Sequence, residues 1–490
     1  MSNFRIAITT AVIFSALIFP AAGAASAGVE AIEREIAASD AALAAAQARL
    51  KDRVRLDEYR PLVTVSDGEE LWSAALQRAL DEHEIVEIPA RSEPYFLSAP
   101  VCVPSDRRIE ACGAEIRLAK GVTNLMLRSA AAVDGTARPV PPGGRTRNIA
   151  VIGGRWADNS LRRRGYGKSG CYYPDGRREG DFYGVSTLFY FGNADAVTIR
   201  DATFVRCGAF AVQCGDGDGF LFERLRFEDC FADGLHLNGN LSRVHARDIR
   251  GKVGDDLVAL NAYDWLNSSV NFGPQRCLLC EDLELVLKDG KGYPAIRLQP
   301  AKYRYADGSV TDCSMRDIIF RRVKGIVTYK LYFQTPGYFL GDSPEWGEAG
   351  SGGNIHFEDI EIDLDRPIDR FEAYEKGDTT RGHFGAFELG ADLDDVTFRN
   401  IDIVFHADRY PLSHLVTVGP KSICHPPAEG RRAWEVFDPY ISSTVGRITL
   451  ENIRIRGVAP RELVHETVFE DVDGDGRSTG RGRVLQIERK

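Results

Sequence analysis

Between Cys207 and Asn261 the chain nearly repeats itself, and the repeat limits what it can fold into. Cys207, Cys230 and Val253 are 23 residues apart, as are Val212, Leu235 and Val258, and also Cys214, Leu237 and Leu260. A period of about 20 to 30 residues made of short apolar alternations marks a stacked solenoid. In this register Phe210, Asp233 and Asp256 fall in one column. Two carboxylates then stand on adjacent rungs, about 4.8 Å apart by strand spacing, and Asp255 adjoins the second. Carboxylates that close repel, which favours a shared proton or one raised pKa. A scaffold has little use for that arrangement, whereas an enzyme that moves protons does.

Solenoids grow as one unit, so 490 residues do not call for several domains. The net charge of -10 argues against nucleic acid and anionic membranes as partners. Arg5 precedes an apolar run from Ile6 to Phe19, and small residues follow as A-G-A at 22–24 and A-S-A at 25–27. That order is a secretory leader cleaved near Ala27. The expected plan is a leader over 1–27, a helical tether over 28–58, a catalytic solenoid over 59–460 and a tail over 461–490. The mature chain is expected to be exported, periplasmic or extracellular, free of the membrane and monomeric.

Export would permit disulfides among the ten cysteines. Cys102 with Cys112, and Cys277 with Cys280, are candidate local pairs. Cys207 and Cys230 share a column and form either a rung-to-rung bridge or a stack of buried thiols, the second being favoured. Zinc at C-L-L-C, 277–280, lacks a second C-x-x-C or nearby paired histidines.

Val29, Ile36, Leu43 and Leu50 recur at seven, so 28–53 reads as a helix, either a tether or one lying on the solenoid. A second helix places Leu71, Ala74, Ala75 and Leu80 on one face and would cap the solenoid end. Short strands follow at 85–90, 94–97, 101–105, 109–111 and 116–118. D-G-E-E-L-W-S-A-A-L-Q-R-A-L at 67–80, then I-P-A and Y-F-L-S-A-P, resembles the opening of pectin-lyase-like proteins. The resemblance implies an all-β fold, a right-handed single-stranded parallel β-helix with an N-terminal capping helix. Roughly a dozen further turns run to 448–455. Asn238 and Asn261 align as a structural ladder. Residues 157–184, rich in arginine and tyrosine, and 333–354, with Tyr338 and Trp346, interrupt the period and are candidate rims of a sugar cleft. D-V-D-G-D-G at 471–476 begins like a calcium loop, but Gly482 stands where the final glutamate belongs.

F-A-D at 231–233, G-D-D at 254–256 and A-I-R-L-Q around Arg297 resemble the motifs of glycoside hydrolase family 28, the polygalacturonases. The resemblance implies Asp255 as general acid and Asp233 and Asp256 as bases on the water, in a single inverting displacement. It implies Arg297 at the substrate, no cofactor and no catalytic metal. Two family partners differ: Cys277 lies near the expected histidine, and Gln299 stands where the family has lysine. Lys302 and Arg304 are candidate replacements for that lysine. His236, turned outward by alternation from Leu235 and Leu237, is placed to orient a carboxylate or bind sugar. Tyr263, Asp264 and Trp265 open the next insertion as candidate stacking residues. The expected partner is a pectic or related polysaccharide or oligosaccharide. Two other classes fit the same fold: a calcium-dependent lyase using the three acids as ligands and Arg297 as base, and a non-catalytic polysaccharide-binding solenoid.

Overall fold

The computed structural model describes residues 28–122, 125–132, 144–159, 187–208, 210–263, 272–286, 296–304, 307–324, 331–333, 347–364, 383–419, 442–470 and 478–490. Among the described residues, twenty-nine strands hydrogen-bond into one wound network, almost wholly parallel, and a small antiparallel sheet of three strands stands beside it. The fold is a right-handed parallel β-helix with a capping helix. Its register follows the 23-residue period, with Val212 opposite Leu235 and Leu235 opposite Val258.

The inward residues of each rung stack on those of the next. Phe320, Phe357 and Phe398 lie ring over ring at 5.6 and 5.4 Å along the axis. Cys207, Cys214 and Cys230 are buried in this core and are not joined by disulfides. The expected local disulfides are absent. Cys277 faces out under a helix while Cys280 faces the core, so that pair cannot meet, and Cys102 and Cys112 are likewise free. The same opposition excludes a C-L-L-C metal clip.

Each long strand turns a corner at a residue with positive φ. One column of corners is Asp201, Arg224, Asp248, Asp282, Arg322, Asp359, Asn400 and Asn452, with φ from 51° to 58°. Asn and Asp tolerate that region better than most residues. Their side chains also join rung to rung. Arg224 donates to Asp201 at 2.6 Å, Asn400 to Asp359 at 2.7 Å and Asn452 to Asn400 at 2.7 Å. The residues just before these corners alternate in sign: Arg200, Glu223, Arg247, Glu281, Arg321, Glu358, Arg399 and Glu451. Arg321 lies 2.9 Å from Glu358, Arg399 lies 3.0 Å from Glu358, and Glu451 lies 3.1 Å from Arg399. Opposite charges face each other across each of these rungs, so a one-rung slip would set like against like.

Helix α1, Val29–Ala48, lies along the solenoid wall. Ile32 and Ile36 pack on Cys277, Leu279 and Ile319, while Glu33 meets Arg321 at 2.7 Å and Asp40 meets His245 at 2.7 Å. Helix α2, Ser73–Glu82, begins two residues later than the expected face. Leu71 belongs to a strand, Ala74 is exposed, and Trp72, Ala75, Leu76, Ala79 and Leu80 are the buried face. Strand pairing passes both boundaries drawn from the sequence. Arg53–Arg55 pairs with Ile85–Glu87, and Ser478–Arg489 pairs with Ser443–Val458 as a further rung. Residues 1–27, 160–186, 334–346 and 471–477, which carry the expected leader, most of the two cleft rims and the acidic turn, lie outside the described residues.

Candidate active site

Asp233 and Asp256 each stand two residues before a strand, Leu235–Gly251 and Val258–Asn261. Backbone bonds from Gly234 N–H to the Asp256 carbonyl, 3.0 Å, and from Ala211 N–H to the Asp233 carbonyl, 3.0 Å, lock Phe210, Asp233 and Asp256 into one column. A Cβ on Gly254 would collide with the Phe231 carbonyl, so glycine lets the G-D-D rung lie directly against F-A-D. Asp255 follows it. One oxygen from each of Asp233, Asp255 and Asp256 lies within 4.8 Å of the other two. Asp233 and Asp256 are buried, and Asp255 is half-buried.

The two buried acids hold internal partners. Asp233 accepts the Asp256 backbone N–H at 3.1 Å through Oδ1 and faces Nδ1 of His236 at 2.6 Å through Oδ2. Asp256 Oδ2 faces Nη1 of Arg297 at 3.5 Å. Arg297 is opposite Ala259, which is opposite His236, so both basic residues rise from one column beside the acids. The arrangement gives two fixed acceptors and one acid nearer solvent.

His236 points out of the core as alternation requires, yet it is only 1% exposed. The ring of Phe210 lies on it, centroids 3.8 Å apart and planes within 10°. It is thereby a shielded partner of Asp233 rather than an exposed sugar-binding imidazole. The sequence register put Phe210 in the acid column; that it covers a residue three positions past the next acid follows only from the fold.

Other expected residues are placed differently. Tyr263 is fully buried against Phe272, centroids 4.9 Å apart, so it is core and not a stacking platform. Gln299 is fully buried one position past the Leu260–Leu298 pair, continuing the column of Asn238 and Asn261. Lys302 is exposed on the side sheet, opposite Asp312 and Glu348. Cys277 packs beneath α1 and takes no part in the acid cluster. Trp265 and Asp264 lie outside the described residues.

Three carboxylates this close are also a set that a hard divalent cation could use. Both oxygens of Asp233 and one of Asp256 already face internal donors. Few remain for a cation that takes roughly six to eight oxygens.

No family model matches the sequence, and no curated protein matches it. Among solved structures, the chain is similar to a hyperthermoactive exopolygalacturonase from Thermotoga maritima, 11% identical with a TM-score of 0.47 over 89% of this chain and 96% of that one. It is also similar to a family 28 exopolygalacturonase from Yersinia enterocolitica, at 13% identity and a TM-score of 0.41, covering 89% of this chain and 78% of that one. A tailspike protein mutant of the E. coli bacteriophage HK620, in complex with a hexasaccharide, is 11% identical with a TM-score of 0.48 over 84% and 64% of the two chains. At these identities the likeness describes the winding of the chain and bears no weight on its chemistry.

Proposed function

We propose that the chain is an exported glycoside hydrolase that cleaves O-glycosidic bonds of a pectic or related polysaccharide or oligosaccharide. The observation that carries this reading is the triad of Asp233, Asp255 and Asp256, with oxygens within 4.8 Å and only Asp255 half-exposed. Asp255, the acid nearest solvent, is the residue placed to pass a proton to the leaving glycosidic oxygen. Asp233 and Asp256, held by His236 and Arg297, orient a water and take its proton as its oxygen bonds to the anomeric carbon. The bond to the leaving oxygen breaks, and two hydroxyl-bearing fragments result. Inversion rests on the motif resemblance, because oxygens within 4.8 Å are tighter than the roughly 6.5–9.5 Å between carboxyl groups of inverting pairs.

The reacting sugar need not be a uronate. Gln299 supplies an uncharged amide where the resemblance calls for a cation, and Arg297 is already turned to Asp256. The test is product chemistry on a panel of pectic and neutral polysaccharides, with and without chelator. New reducing ends without unsaturated sugars, unchanged by chelator, are expected, and the anomer first formed should be inverted. Unsaturated uronides that vanish with chelator would identify a calcium-dependent lyase and overturn the proposal. Binding without cleavage across the panel would identify a non-catalytic module.

A further inference from the structure

A second polar cluster stands on the acid face, toward the C-terminal end. The pairs Val258–Ile296, Ile296–Leu331, Leu331–Phe387, Phe387–Val416 and Val416–Val464 carry one column through the sheet. Asp256 stands two residues before Val258, His414 two before Val416 and Glu462 two before Val464. His465 follows Val464 and shares the column of Arg297 and Thr417. The histidines thus occupy the same two columns as Asp256 and Arg297. His414 is four rungs beyond Asp256, about 19 Å at strand spacing.

His383, just before strand Phe384–Leu389, reaches the same point. One nitrogen from each of His383, His414 and His465 lies within 4.8 Å of the other two. Nδ1 of His383 is 2.8 Å from Nε2 of His414, and the ring of His465 lies over His383 with centroids 3.6 Å apart. Glu462 fixes two of the rings from behind. Its carbonyl accepts Nδ1–H of His414 at 3.0 Å, and its Oε1 faces Nδ1 of His465 at 2.5 Å. Those bonds set the tautomers and leave the Nε2 lone pairs of His414 and His465 on the cluster side. A carboxylate or carbonyl behind the ring is the usual partner of a metal-bound histidine.

We infer that His383, His414 and His465 form a site for a borderline divalent transition metal, zinc being the expected ion. Three imidazoles satisfy three of four tetrahedral positions and leave the fourth open to water or to a sugar oxygen. On binding, the proton between Nδ1 of His383 and Nε2 of His414 moves to Nε2 of His383. Both nitrogens then offer lone pairs, and no proton need be released. The ion would tie three successive rungs together on the face that carries the acids.

The test uses the full purified chain, stripped by chelator and titrated with Zn²⁺ by calorimetry, with Co²⁺ as a spectroscopic probe. One equivalent of Zn²⁺ at micromolar affinity or better is expected, with visible Co²⁺ bands of a four-coordinate nitrogen site and a Tm that rises with Zn²⁺. His414→Ala should abolish the site. The half-buried His383→Ala and His465→Ala should do the same and keep the test valid if His414→Ala fails to fold. Glu462→Gln should weaken affinity roughly 10- to 100-fold. Asp255→Asn should leave binding unchanged. Absence of stoichiometric binding, binding that survives His383→Ala and His465→Ala, or binding lost with Asp255→Asn would each overturn the inference.

Discussion

His236 and His245 lie on one strand, Leu235–Gly251, and each meets an aspartate at nearly the same distance, Asp233 at 2.6 Å and Asp40 at 2.7 Å. Their surroundings differ. His245 joins the solenoid wall to α1, with Glu281 on its other nitrogen at 3.3 Å and Arg322 closing the network on Glu281 at 2.8 Å. Charges there are paired in sequence, and the group clasps a helix. His236 holds Asp233 beside two further carboxylates, under the ring of Phe210. A histidine–aspartate pair by itself therefore says little about function. Three carboxylates gathered within 4.8 Å of one another mark the site.

The contrast can be broken by substitution. Asp233→Asn should lower kcat by roughly 10²- to 10⁴-fold, the usual worth of a general base, with a melting temperature near that of the parent. A comparable loss from Asp40→Asn would mean that the clasp, not the acid cluster, controls activity. His236→Asn should lower kcat about 10- to 100-fold, the range for a lost partner that orients a ligating or reacting group, and shift the pH profile. Pure destabilisation with an unchanged pH profile would reduce His236 to a structural role.

The clasp side predicts stability effects instead. Arg321→Glu would place a third acid between Glu281 and Glu358 and against Glu33, costing about 2 kcal/mol in denaturant unfolding. A neutral result would remove the alternating charges as a register device. The His245 pKa is raised: burial opposes the charge, but Asp40 and Glu281 outweigh it. That contribution is fully present below about 6.5, the free value, and is lost as pH rises through the raised value. The Glu281 pKa is lowered to about 2, chiefly by His245 and against burial, so its contribution is present above the ordinary glutamate value of 4.5 and lost as pH falls toward 2. Docking of α1, followed by limited proteolysis at Ala48–Lys51, should loosen on both sides of that window by about 1 kcal/mol. Proteolysis independent of pH, or flattened equally by Ile32→Ala and His245→Gln, would place the docking energy in the apolar patch alone.

The 23-residue period carried the register from Val212 to Val258 and placed Asp233, Asp255 and Asp256 together, because spacing alone decides which residues share a column. The alternating Arg and Glu before each corner were equally present in the sequence, but rungs of unequal length hid them once the period failed. The partners of α1 lie up to about 290 residues away, at Arg321, and its heptad shows an apolar stripe without saying what covers it. Tyr263 turned inward because alternation ends with the strand at Asn261 and Phe272 packs over it. His383, His414 and His465 are 31 and 51 residues apart, and only the strand pairing reveals that they meet.

The most direct measurement is turnover by Asp255→Asn on the substrate that the parent cleaves, read beside its thermal melt. With Asp255 as proton donor, kcat should fall roughly 10²- to 10⁴-fold while the melt stays put or rises, since the change removes one of three crowded carboxyls. Full activity in a folded Asp255→Asn protein would contradict the account.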